Sequence, residues 1–323
     1  MTTNPKITII IPVYNGGDFL EKTLNNILQS TFKSFEVICV DDLSTDESKN
    51  IIEKYSQKDS RIKLYTRETK GGTAVKGIKF GLQFSNGDYY FFMSQDDLID
   101  QDCLEKLYNK AIETGADAVV PNCQFYYEKD KENEKTILPP NQNYDLELSG
   151  RDAFKIIMPW DIHGFYLRKM DLVKKYGFDD TYLTGCEYAS REHIFYSNKV
   201  VFVNTNFYYR QDNSTAITKN FKPIIVEDII IYIKLLNFIK HKKFEQTFLN
   251  KWIKHTLNLI KFYKKTIKEN YNKMSKDELK LAFDKLQYAT KNFIIFALKN
   301  LNIIIAVKAI TIFIQNQQEQ SNL

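Results

Sequence analysis

An aromatic-rich apolar run that ends on adjacent carboxylates leaves a chain few ways to fold. Gly87-Asp88-Tyr89-Tyr90-Phe91-Phe92-Met93-Ser94-Gln95-Asp96-Asp97 has that form. The apolar part reads as a strand buried on both faces, and open α/β sheets hold their ligands beyond the carboxyl ends of such strands. Two neighbouring carboxylates placed there repel each other and lose hydration. A hard divalent cation with oxygen ligands relieves both costs, and it can grip a diphosphate as well. A plainer reading makes Asp97 or Asp100 the N-cap of a helix through Leu104, Leu107 and Ile112. Capping needs one acid, whereas this stretch offers two.

The first half of the chain repeats the theme. Ile7 to Val13 is a near-continuous apolar run, as expected of a parallel strand covered on both faces. Tyr14-Asn15-Gly16-Gly17 makes the turn, and Asp18 with Glu21 resembles a capping box opening a helix through Leu20, Leu24 and Ile27. Phe35 to Val40 is a second strand ending on Asp41-Asp42, followed by a helix through Ile51, Ile52 and Tyr55. Ile62 to Tyr65 is a third strand, Gly71-Gly72 opens a helix that ends near Ser85, and Asp117 to Val120 is a further strand. This spacing predicts a parallel α/β sheet with right-handed crossovers, which brings Tyr14, Asp41-Asp42 and Asp96-Asp97 to one edge. No G-x-G-x-x-G follows the first strand and no G-K-[ST] stands there, so a glycine cradle for phosphates is excluded.

From Asn122 to about Ser149 the sequence turns polar and irregular, with Pro139-Pro140. A helix over 149–158 is broken by Pro159-Trp160-Asp161. Phe165 to Leu167 reads as a strand, and Val200–Val203 with Phe207–Tyr209 as a short strand pair. Beyond Phe221 helical periodicity covers 226–241, 245–268 and 276–314, which places a domain boundary between residues 220 and 221. That tail has 18 Lys, no Arg and 8 acids, a net +10 in a chain of net +5, so the first 220 residues carry −5. Such asymmetry suits contact with something anionic, although compositional bias gives the same count. The apolar run Phe293–Ile314 is interrupted by Lys299, Asn300, Asn302 and Lys308, which argues against an uninterrupted membrane span. A bundle helix, an oligomer contact and an amphipathic helix on an anionic leaflet all fit it. Cys39, Cys103, Cys123 and Cys186 form no C-x-x-C, and the N-terminus has no signal pattern, so a cytosolic protein with reduced thiols is expected.

Ile-Pro-Val-Tyr-Asn at 11–15, Val-Asp-Asp-Leu-Ser-Thr-Asp at 40–46 and the Gly-Asp-Tyr…Ser-Gln-Asp-Asp stretch resemble family 2 glycosyltransferases over roughly residues 6–215. The resemblance implies a GT-A fold, a Rossmann-like mostly parallel sheet flanked by helices, with a helical domain after it. It implies inverting transfer of a hexose or N-acetylhexosamine from a UDP-sugar, with Mn2+ or Mg2+, to a saccharide or lipid-linked glycan of the cell surface. A cytoplasmic enzyme at the inner membrane face is then expected, with a homo-oligomer left open and no nucleic-acid partner. Carried over by position, Pro12 and Tyr14 line the base pocket, and Asp42 or its neighbour Asp41 accepts the uracil N–H. Gln95 and Lys76 join the nucleotide contacts, Asp96 and Asp97 the metal, and Trp160, His163 and Arg210 the substrate wall and closing loop. Glu187 is the expected base, with Asp179 and Asp180 behind it.

The chain departs from the family pattern at three places. Ser94 stands where the first acid of the Asp-x-Asp motif belongs. Val75 replaces an arginine, leaving Lys70 or Lys76 to meet phosphate without a bidentate fork. Glu187 fits the base position only after a one-residue shift. These departures also suit a degenerate, non-catalytic nucleotide-sugar binder. A phospho-receiver-like domain, suggested by Asp41-Asp42, is disfavoured because the strand Ile62–Tyr65 ends on Thr66.

Overall fold

The first strand, β1 (Ile7–Val13), is flanked on both sides by strands that run parallel to it, and this sets the position of the site. A computed structural model describes residues 4–214, 216, 221–300 and 302–321. They form two compact units, one of Met1–Asp180 with Ala189–Asn213 and one of Thr181–Tyr188 with Ser214–Leu323. In chain order the elements of the α/β region are β1, α1 (Gly17–Leu28), β2 (Phe35–Asp41), α2 (Ser48–Lys58), β3 (Ile62–Thr66), α3 (Ala74–Leu82) and β4 (Tyr89–Phe92). They continue with β5 (Leu98–Ile99), α4 (Cys103–Thr114), β6 (Ala118–Tyr126), β7 (Lys135–Ile137), β8 (Glu147–Leu148) and α5 (Gly150–Ile157). β9 (Leu167–Lys169), α6 (Met170–Tyr176), α7 (Gly185–Tyr196) and β10 (Val200–Arg210) complete it.

These strands make one mixed sheet in the order β3-β2-β1-β4-β9-β6-β10-β5, with β7 on β6 and β8 on β10. The β3-β2-β1-β4 half is parallel, whereas β9 runs antiparallel between β4 and β6. All seven residues of β2 are buried, as the continuous apolar run requires of a strand covered on both faces. Pro12 fits inside β1 because β4 pairs only as far as Ile10, opposite Phe92, so its missing N–H leaves no ladder bond unmade. Val13 lies level with Asp41, and the chain therefore leaves β1 and β2 at the same height.

Local expectations needed correction. Asp18 sits in the first turn of α1, but Gly16 is the N-cap and no capping box forms. The α1 N-terminus is held from another segment, with Gly16 N–H donating to Ser48 Oγ at 2.8 Å and Gly17 N–H to Asp46 Oδ2 at 2.9 Å. Neither Asp97 nor Asp100 caps α4; Asp102 occupies that position. Asp100 instead accepts the Asn206 N–H at 2.8 Å and the Tyr208 hydroxyl at 2.7 Å. It thereby pins the register slip between Phe202 and Asn206 that lets the expected strand pair run as the single strand β10.

The helical unit contains α8 (Asp228–His241), α9 (Gln246–Glu269), α10 (Lys276–Lys299) and α11 (Ile303–Ser321). The expected single helix 276–314 is thus two, since α10 ends on the Asn300 C-cap; Leu301, within that span, lies outside the described residues. Ser275 and Glu278 form a capping box at the start of α10. Ile253, Ile260, Leu286 and Phe293 are fully buried in this unit. No helix among the described residues is long and apolar enough to cross a membrane.

The tightest backbone approach leading to the site is at Gly87, just before β4. A Cβ there would lie 2.5 Å from Thr8 N and 2.8 Å from Ile7 C, both backbone atoms that cannot swing away. Gly87→Ala is therefore expected to cost about 2 kcal/mol or more in urea unfolding. Gly115→Ala, where φ is +67 but the space is open, should cost only about 1 kcal/mol.

Candidate functional site

Three loops leave the carboxyl ends of β2, β1 and β4 side by side, two strand spacings or about 10 Å across. The loop after β2 carries two acids that the fold sends to different tasks. Asp41 is buried, and its Oδ1 accepts the Ser44 N–H at 3.1 Å, closing the turn in which Leu43 takes a φ of +62. Asp42 faces the loop after β3, accepting Gly71 N–H on Oδ1 at 2.6 Å and Gly72 N–H on Oδ2 at 2.7 Å. Arg67 Nε lies 3.0 Å from the same Oδ1 and Arg67 Nη1 donates to Lys76 O at 2.9 Å. The Arg67 fork thus ties Asp42 to the first turn of α3.

Tyr14 stands between the two acid-bearing loops and is exposed at the end of β1. Its hydroxyl receives Lys70 Nζ at 2.5 Å, and that ammonium also lies 3.9 Å from the ring centroid. Its backbone exchanges two hydrogen bonds with the Gln95 carboxamide, N–H to Oε1 at 3.0 Å and Nε2 to O at 3.2 Å. Gln95 thus fixes Tyr14, and a Cβ on Gly16 would push the Gln95 amide out of that position. A continuous path of bonds and chain neighbours runs from Asp42 through Gly71, Lys70, Tyr14 and Gln95 to Asp96. Pro12 lies beneath Gly77 of α3, where a Cβ would come within 2.9 Å of the Pro12 Cβ. Lys76 sits in the first turn of α3, its N–H donating to the Thr73 cap.

The two acids after β4 also diverge. Asp96 Oδ2 accepts Asn213 Nδ2 at 2.7 Å, and its backbone carbonyl accepts Arg210 Nε at 3.1 Å. Burial pushes its carboxyl above the usual range. Asp97 was expected to ligate metal, but it is fully buried and serves the loop itself. Its oxygens accept Ser94 N–H at 3.0 Å and Arg210 N–H at 3.3 Å. Burial, and then the charge of Asp96, push it up to about 8. Among the described residues no group of three His, Cys, Asp or Glu side chains gathers that could hold a metal. The donor set fits only a sparse site: a cation beside Asp96, whose Oδ2 already accepts from Asn213, would take its other ligands from phosphate oxygens and water, a pattern that suits Mg2+.

The expected substrate wall is largely interior. His163 is buried; its Nε2 is 2.7 Å from Pro121 O and its Nδ1 accepts the Phe165 N–H at 3.1 Å. Both ring nitrogens are thereby used by the backbone, and the ring is a neutral strut rather than a sugar contact. Trp160, at a φ of +71, packs against Phe125, Phe165 and Tyr209. Arg210 is buried too, its Nη1 3.1 Å from Glu128 and 3.0 Å from Asp212, and its guanidinium lies over Phe19 and Tyr126. It braces the loop that presents Asn213 to Asp96 instead of reaching for a ligand. Glu187 belongs to the helical unit, in the first turn of α7. Within that unit the segment before it is held by Thr184 Oγ1 donating to Asp228 Oδ1 at 2.5 Å. Asp180, one of the fallback bases, receives Lys79 Nζ at 2.7 Å.

Arg67 and Asn213 escaped the sequence reading. Arg67 follows Thr66 directly at the end of β3, one residue past the point where an acid was sought. Asn213 had no local signal, because only the fold brings residue 213 to residue 96.

A mixed sheet that gathers three loops and their acids at one carboxyl edge is an α/β domain with its ligand site at that edge, and the fold shared with the TarS structure below makes it the GT-A type. The glycosyl transferase family 2 model matches residues 8–177, more than half the chain, and the chain belongs to that family. It is 28% identical over 306 residues to the glycosyltransferase GlyG of Streptococcus pneumoniae serotype 4, covering 86% of this chain and 96% of GlyG. It is 31% identical over 224 residues to glycosyltransferase GlyA of the same organism, covering 64% of this chain and 31% of GlyA. In three dimensions it resembles S. aureus TarS 1-349 in complex with UDP-GlcNAc, with a TM-score of 0.68 at 17% identity. That match covers 98% of this chain and 92% of the TarS chain.

Two outcomes test these assignments. Arg210→Met should cost about 3 kcal/mol in urea unfolding, the low end for breaking a buried ion pair, because half-exposed Glu128 regains water. Arg210→Lys should recover little of it, since an ammonium cannot replace the fork. His163 is held down to about 4 by burial, while the unfolded ring titrates near 6.5. The unfolded chain therefore binds the extra proton first, so stability is intact above about pH 6.5 and falls as the pH drops towards 4. His163→Gln should flatten that slope by on the order of 2–3 kcal/mol between pH 7 and 4.

Proposed function

We propose that this chain transfers a hexose or N-acetylhexosamine from a UDP-sugar to a saccharide or lipid-linked glycan acceptor, with inversion, in cell-surface polysaccharide synthesis. The reading rests on one observation. Asp42 and Asp96 follow the strands on either side of β1 and are joined through Tyr14, so a base and a diphosphate can span them. TarS, whose fold this chain shares, binds UDP-GlcNAc.

In this reading residues 1–220 are the catalytic domain and 221–323 a lysine-rich helical one. Tyr14 offers its exposed ring to the base, and Asp42 accepts the uracil N–H when the Gly71–Gly72 loop gives up its bonds. Lys70 and Lys76 meet phosphate charge. Asp96 would hold Mn2+ or Mg2+, which supplies Lewis-acid compensation of the charge on the departing UDP. Glu187 takes the acceptor hydroxyl proton as the sugar is attacked from the opposite face. The inward turn of Asp97 and the serine at 94 favour a second reading, a nucleotide-sugar binder without turnover.

Transfer and hydrolysis should be measured across UDP-sugars with Mn2+, starting with UDP-GlcNAc. Asp96→Ala should lower kcat by about a hundredfold or more, and chelation should do the same to the wild type. Equal hydrolysis by both proteins would sink the metal assignment. Tight UDP binding without turnover on any acceptor would establish the binder instead.

A further inference from the structure

Helix α11 is built inside out. The positions it buries against its own unit are mostly small, with Ala306 and Ala309 fully enclosed beside Ile312 and Asn316. Its large apolar side chains face water: Ile303, Ile304, Val307, Ile310 and Ile314 are 36% to 72% exposed. Positions 303, 307, 310 and 314 recur at helical spacing and make one stripe along the helix. A helix that served only to close the bundle would bury its isoleucines and expose its alanines.

The charge around the stripe selects the partner. From residue 285 to the end of the chain the only acid is Glu319, and Asp284 just before that span accepts Gln320 Nε2 at 2.6 Å, at the far end of α11 from the stripe. Glu319 is itself paired with Lys264 and Lys268 of α9. Lys291, Lys299 and Lys308 are exposed along α10 and α11. Lys308 flanks the stripe rather than lying in it, so a lysine borders the apolar face. An anionic lipid surface accepts both the isoleucines and the lysines, the first in the acyl boundary and the second against headgroups.

We propose that the α11 stripe docks on an anionic phospholipid membrane, as an in-plane amphipathic helix. The proposal stands apart from the glycosyltransferase reading, because it uses none of the residues placed in that site. The full chain should be sedimented with vesicles of phosphatidylglycerol mixed with phosphatidylcholine and with vesicles of phosphatidylcholine alone. Binding is expected to the first only, weakening as salt is added. Each lysine near the surface is worth about fivefold in affinity, so Lys291→Gln, Lys299→Gln and Lys308→Gln together should weaken it on the order of a hundredfold. Ile304→Ser with Val307→Ser should also weaken binding while circular dichroism stays unchanged. Failure to bind either vesicle, or equal binding to both, overturns the proposal. So does a dimer at micromolar concentration that Val307→Ser dissolves, which would assign the stripe to a second copy.

Discussion

Everything at the candidate site depends on β1 having parallel partners on both sides. Parallel neighbours place all their carboxyl ends on one edge, so the loops after β2, β1 and β4 emerge together. Tyr14 then has no alternative but to stand between Asp42 and Asp96. The glycines of the region serve that closeness. Gly77 lets α3 approach Pro12, Gly16 makes room for the Gln95 amide, and Gly87 lets the chain pass the backbone of Thr8 before β4.

Around this edge the fold divides paired acids into one that builds and one that faces the site. Asp41 closes a turn while Asp42 holds the Gly71–Gly72 loop. Asp97 is driven inward to staple Ser94 and Arg210, leaving Asp96 beside Asn213. Even with these partners burial pushes both Asp96 and Asp97 up, Asp97 to about 8, so the inward acid of the pair holds its proton near neutral pH. Asp42 carries both loop N–H groups and the Arg67 guanidinium, so a nucleotide base that claims Asp42 competes with the loop. In the proposed reading this would couple base recognition to the position of the Gly71–Gly72 loop.

The helical unit follows a different logic. Its core is ordinary apolar packing, and its capping box at Ser275 and Glu278 is local. Its distinctive feature is the outward isoleucine stripe on α11, in a region, Phe221 onward, whose lysines outnumber its acids 18 to 8. Charge and exposed apolar area point the same way there, whereas either alone would say little.

The sequence by itself determined the β1 to β4 order of elements, the family, and the identity of the edge residues. Continuous apolar runs and the Asp-bearing turns are local signals, and local signals survive in one dimension. It did not foresee that Asp97, His163 and Arg210 would be buried and bonded within the fold. Burial and hydrogen-bond partners come from segments far apart in the chain, as Asn213 and Asp96 do. The register slip in β10, the inward turn of Asp97 and the outward face of α11 were decided by the tertiary structure. Each depends on which surface a neighbouring element covers, and no spacing along the chain records that.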